Sequence, residues 1–90
     1  MFTWAEKRRK LNLAKHGIDF ADAPAIFDGP LVTVEDTREH YGEPRYIALG
    51  LLQDTVVLLV YADRDDEIRI ISIRKALRHE ARFFFWQIRK

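Results

Sequence analysis

A short set of charged side chains in this sequence has the types and spacing needed for acid–base and phosphate chemistry. Lys15 and His16 stand together just before Gly17. An imidazole there can act as a general acid or base near neutral pH, or simply close a helix, where a cation favours the helix dipole. Glu43 and Arg45 flank Pro44 at alternate positions, so both can point to one side of a strand. They could form a base and a phosphate clamp, or a structural ion pair. Arg64, Arg69 and Arg74 follow. A guanidinium is permanently charged, and its planar fork fits phosphate or carboxylate. Asp63, Asp65, Asp66 and Glu67 offer Arg64 and Arg69 local ion pairs instead, worth a median of ~0–1 kcal/mol. Strand alternation puts Arg69 and Arg74 on opposite faces unless a bulge intervenes. His40 and His79 have no metal-ligand spacing with His16, and no Gly-rich phosphate loop, nucleophile elbow or carboxylate cluster for magnesium is present. Phosphoryl chemistry from these residues is therefore expected to need neither metal nor cofactor.

These side chains require a scaffold, and the sequence suggests one. Phe2 to Trp4 reads as a short edge strand. A helix follows from Ala5 to His16, with Leu11 and Ala14 directed at the core and Gly17 in the left-handed position past its end. Asp19 suits the N-cap of a second short helix through Phe27, or that helix starts at Asp22 with Pro24 in its first turn. Four strands are expected next: Leu31–Glu35, Arg45–Leu52, Thr55–Ala62 and Ile68–Arg74. The third is apolar on both faces and so belongs in the middle of the sheet. Short connections favour an antiparallel meander. A final helix is expected from about Lys75. The order β-α-α-β-β-β-β-α defines an α+β two-layer domain: a small antiparallel sheet with two N-terminal helices and one C-terminal helix.

Ninety residues make one domain. With 48% hydrophobic and 32% charged residues the chain is expected to fold rather than remain disordered. No apolar run reaches the ~20 residues of a membrane helix, and MFTWAEKRRK lacks the apolar segment of a signal peptide. The absence of cysteine excludes disulfides and thiolate chemistry. A net charge of +1 hides strong segregation: +4 over 1–18, −6 over 19–43, −3 over 44–67 and +6 over 68–90. If the two basic ends meet, they form a positive surface that attracts phosphate chains. If they lie apart, each is a solvated face.

Phe83, Phe84, Phe85 and Trp86 are consecutive. At 100° per residue they span about 300° of a helix, more than one core-facing stripe can hide. Either the segment unwinds into the core, or some rings await a partner chain.

Taken together, Phe2 and Trp4, Asn12, KHGIDF (Lys15–Phe20), GEPRY (Gly42–Tyr46) and the run from Tyr61 through RIISIRKA to Glu80 resemble the BrnT family of ribonuclease toxins, over nearly the whole chain. The resemblance implies a RelE-like toxin fold and a metal-independent endoribonuclease that arrests growth by cutting RNA; the absence of cysteine suits a cytoplasmic location. The resemblance also implies a BrnA-type antitoxin. Such an antitoxin is a ribbon-helix-helix DNA-binding protein that blocks the toxin, with the C-terminal aromatic helix as the candidate docking surface, and represses the shared operon. Operator DNA would thus be reached only through the antitoxin. The chain departs from the family pattern at Thr3, Ala5, Ile73 and Phe83–Trp86. Metal-free cleavage needs a base for the 2′-hydroxyl, cations for the phosphorane and an acid for the leaving 5′-oxygen. Under the resemblance, His16 or Glu43 would transfer protons, and Arg64, Arg69 and Lys15 would stabilise charge. Arg45 and Arg74 would grip flanking phosphates, and Trp4 would stack on a base or belong to the core. The alternative is a non-catalytic module that binds nucleic acid or protein through the same basic patch.

Overall fold

The computed structural model of the chain describes residues 1–89. Among them the elements run β1 (Phe2–Trp4), α1 (Glu6–His16), a 3-10 turn (Phe20–Asp22), α2 (Ala23–Phe27), β2 (Val32–Glu35), β3 (Arg45–Leu52), β4 (Thr55–Arg64), β5 (Glu67–Lys75) and α3 (Arg78–Arg89). The α+β class and the order of elements agree with the sequence expectation.

The strands form one sheet in the order β1-β5-β4-β3-β2, with the doubly apolar β4 at its centre. β2 to β5 make the antiparallel meander. Its two tight hairpins turn at Gln53 (φ 56°) and Asp65 (φ 45°), left-handed values of the kind two-residue hairpin turns require. The second hairpin is tighter than expected, because Arg64 and Glu67 pair and leave only Asp65 and Asp66 in the turn. The sheet is mixed rather than wholly antiparallel: β1 pairs parallel with β5, matching Thr3 to Arg69. In this direction α1 leaves Trp4 towards the part of the β5 edge that β1 does not cover.

That placement overturns the expected inner face of α1. Leu11 and Ala14 are exposed, and the buried residue is Asn12, 7% accessible. A strand edge presents unpaired N–H and C=O groups, which a polar side chain satisfies and an apolar one does not. Asn12 Nδ2 donates to the carbonyls of Ile73 (2.8 Å) and Ile18 (3.0 Å), and its Oδ1 accepts from the Ile73 N–H (3.1 Å). Arg9 braces the same helix by donating to both carboxylate oxygens of Asp19, at 2.8 and 3.0 Å. Gly17, at φ 72°, ends the helix with its N–H on the Leu13 carbonyl, as expected.

Helices cover both faces, giving three layers where two were expected. On one face Phe20, Ala23 and Ile26 pack on Ala48, Val57, Leu59, Tyr61, Ile70 and Ile73. The approach of α2 to β3 is close enough that a Cβ on Gly50 would lie 2.8 Å from side-chain atoms of Ile26 and Leu31. On the other face Phe84 packs with Leu49 and Val56. The start of α3 falls at Arg78 rather than Lys75. Glu80 Oε1 accepts the Leu77 N–H at 2.7 Å, one half of a capping box. The aromatic run stays helical. Phe84 is fully buried, whereas Phe83, Phe85 and Trp86 are 48%, 39% and 66% exposed.

Candidate active site

An irregularity in β5 decides where the arginines point. Tyr61 pairs with Ile70 and Val60 with Ser72, so Ile71 has no partner and forms a bulge. The extra residue resets the alternation. Arg69 and Arg74 consequently share a face, contrary to uninterrupted alternation. Arg69 pairs with Ala62, Ala62 with Arg45, and Arg69 with Thr3. Thr3, Arg69, Ala62 and Arg45 thus form one cross-strand row on the side of the sheet that carries α3. At ~4.8 Å between strands, the Arg45 and Arg69 backbones are roughly 10 Å apart. The helix packs farther along the sheet, around Leu49, Leu51, Val56 and Leu58; in the row itself Ala62 is fully buried and Thr3, Arg45 and Arg69 are half-buried. Arg64, two residues beyond Ala62, shares the face and donates a hydrogen bond to Glu43.

Neither Arg45 nor Arg69 makes a salt bridge among the described residues. The Arg45 guanidinium lies 4.2 Å over the Tyr41 ring, a cation–π arrangement. Its Nε is buried without a partner, as is the Thr3 hydroxyl in the same row. Two guanidiniums on one face with no carboxylate between them repel each other and favour an anion.

Residues 36–44 build a wall beside this row, organised around Asp36. This carboxylate is 5% exposed. It accepts from Arg38 Nε and Nη2, both at 2.8 Å, from the Arg38 N–H at 3.2 Å and from the Tyr41 hydroxyl at 3.1 Å. Its own N–H donates to the Arg45 carbonyl at 2.7 Å. The Arg38 hydrogen bonds hold the Asp36 carboxyl well below the usual range. The loop encloses a cleft of about 540 Å³ whose lining includes His40, Tyr41, Glu43 and Arg45. An imidazole, a carboxylate and a guanidinium thus share one concavity. Beyond the absence of metal-ligand spacing for His40, nothing in the sequence singles out His40 or Tyr41, because they sit in a polar loop without periodicity. The Asp-Thr-Arg step, which forms an Asx turn, was the local signal for an ordered loop.

The other expected site residues lie elsewhere or are engaged. Arg74 makes a two-pronged ion pair with Glu80, at 2.9 and 3.0 Å. That hydrogen bonding raises the Arg74 pKa and lowers that of Glu80. Trp4 belongs to the opposite face, edge-on to Phe20 at 6.3 Å between ring centroids. Its indole N–H donates to Glu6. His16 lines a separate cleft with Leu52, Thr55 and Lys75. Thr55 and Arg64 mark opposite ends of β4, about 30 Å apart at ~3.3 Å per residue. Lys15 lines a groove with Arg8 and Ser72. The fold therefore brings Glu43, Arg45, Arg64 and Arg69 together, and keeps Lys15 and His16 apart from them. Among the described residues no three His, Asp or Glu side chains are grouped to hold a metal ion. No helix among them is long and apolar enough to cross a membrane.

Two half-buried arginines without salt-bridge partners, beside a cleft lined by a carboxylate and an imidazole, make a set of groups suited to phosphate chains. Residues 4–80 match the family described as "Ribonuclease toxin, BrnT, of type II toxin-antitoxin system", and the chain belongs to that family. It is a ribonuclease toxin, with RNA as its substrate and an antitoxin as its partner. Comparison with curated proteins gave no match.

Proposed function

We propose that this toxin cuts RNA without a metal ion, at the cleft lined by residues 35–45 and the neighbouring Arg69. The 2′-oxygen bonds to the adjacent phosphorus as its proton passes to the Glu43 carboxylate. The bond from phosphorus to the 5′-oxygen then breaks, and His40 gives that oxygen its proton. Arg45 and Arg69 stabilise the charge on the phosphorane, and Arg64 orients Glu43. The observation that carries this reading is the row Arg69–Ala62–Arg45, two half-buried guanidiniums on one sheet face without carboxylate partners among the described residues. The antitoxin is of the BrnA type, a ribbon-helix-helix DNA-binding protein, and the complex reaches operator DNA only through it. It docks in the cytoplasm on the exposed Phe83, Phe85, Trp86 and Ile88 of α3.

The test is incubation of purified toxin with RNA, with and without a chelator. Cleavage that continues in chelator and leaves 2′,3′-cyclic phosphate ends is the expected result. Arg69→Ala should lower the rate by about 10²–10³, as loss of one charge-stabilising donor does elsewhere. Cleavage that stops with chelator refutes the metal-free route, and an unchanged rate in Arg69→Ala refutes the site.

A further inference from the structure

The basic N-terminal segment, +4 over residues 1–18, lies against β5, which carries Arg69, Arg74 and Lys75, because β1 pairs with β5 and α1 packs along it. Arg8, Leu11, Asn12 and Lys15 fall at helical i, i+3, i+4 and i+7 positions, one stripe of α1. With His16, Ile71 and Ser72 they line a groove of about 240 Å³. Asn12 is committed to Ile73 at the groove floor. Arg9, the N-terminal cation that does form ion pairs, points elsewhere, to Asp19 and Glu6. Arg8 and Lys15 make none among the described residues, and Leu11 between them is 62% exposed. Seven residues of helix place their backbones about 10 Å apart.

The groove reaches the stretch of β5 that follows Arg69. β1 stops at Trp4, opposite Ile70, so the β5 edge is open to α1 from the Ile71 bulge onward. Ser72, the next residue, lines the groove, and its pairing with Val60 puts it on the same sheet face as Arg69. At the other end His16 is shared with the neighbouring cleft, which contains Lys75 and also Asp22.

We infer that this α1–β5 groove is a second binding site of the toxin. It takes the sugar–phosphate backbone of single-stranded RNA that flanks the cut, with Arg8 and Lys15 on successive phosphates and His16 and Lys75 beyond. The inference rests on the RNA-cutting reading, and it gives Lys15 and His16 a role as flanking contacts. A substrate too short to reach from Arg69 past Ser72 gains nothing from the groove. A longer one is held by charge without regard to base sequence.

The experiment measures binding of a labelled single-stranded 2′-O-methyl oligonucleotide, which cannot be cleaved, across a salt series. It is paired with steady-state cleavage of a long RNA. Arg8→Ala/Lys15→Ala should weaken binding about tenfold and reduce the slope of log K against log salt by about 1.4, at ~0.7 per phosphate contact on a single strand. It should raise KM and leave kcat unchanged. Lys7→Ala/Lys10→Ala removes the same charge from α1 outside the groove and should leave the slope unchanged. Equal losses from both double variants, or none from the first, would overturn the groove assignment. Failure of the catalytic reading shows separately, as an Arg69→Ala toxin that cuts RNA at an unchanged rate.

Discussion

The Asn12 carboxamide and the Ile73 peptide form a reciprocal pair, with the side chain bonding both the N–H and the C=O of the strand. Asn12 thereby does for β5 what a neighbouring strand does elsewhere, and it fixes α1 against the sheet. Asn12→Leu keeps the bulk but orphans two buried backbone groups, each costing ~1–3 kcal/mol. The expected loss is about 2–4 kcal/mol, read from urea unfolding. Asn12→Asp can still accept from Ile73 but no longer donate, and should recover only part of it.

The arginines on the α3 face should separate into structural and functional groups. Arg74 ties β5 to the start of α3 through Glu80, so Arg74→Ala and Glu80→Ala should each lower stability. A double-mutant cycle should give a coupling of about 1 kcal/mol. RNA cleavage by Arg74→Ala protein, assayed well below its melting temperature, should stay within a few-fold of the unmutated chain. Arg69 has no ion pair to lose, so Arg69→Ala should change stability by only ~0.5 kcal/mol or less.

Acid should weaken this fold in a defined direction. Asp19, Asp36 and Glu80 all have folded-state pKa values below their ordinary ones, chiefly through hydrogen bonds from Arg9, Arg38 and Arg74 respectively. A depressed carboxyl stabilises the fold above its unfolded pKa, near ~4, and loses that contribution as pH falls through the folded value. Urea midpoints should be level from pH 7 to 5 and drop below about pH 4. Asp36→Asn should start lower at neutral pH and fall less steeply.

The aromatic run on α3 should divide by burial. Phe84→Ala empties a fully buried site and should cost about 3–5 kcal/mol of stability. Trp86→Ala removes a ring that is 66% exposed, and should leave stability within ~0.5 kcal/mol. If the antitoxin covers this face, Trp86→Ala should weaken the complex by ~2 kcal/mol or more, measured by calorimetry.

Much of this protein was legible in its sequence because the signals were local. Period-two alternation marked β2 and β5, a run apolar on both faces marked the central β4, Gly17 and Pro24 marked helix ends, and the block from Tyr61 to Glu80 carried the family. Four consecutive aromatic residues implied either unwinding into the core or exposed rings, since helix geometry turns successive side chains about 100° apart; the run stays helical, with three rings exposed. Tertiary structure alone decided which charges work together. Whether Arg69 and Arg74 share a face depends on one unpaired residue, Ile71, and pairing is a property of two strands. Whether His16 reaches the arginines depends on where α1 docks, and it docks on a strand edge through a polar residue that no hydrophobic pattern reveals. The cleft containing His40 exists because Asp36 gathers a loop with no periodicity of its own. Side-chain direction is set within an element, but proximity between elements is set by register and docking, which short-range spacing does not encode.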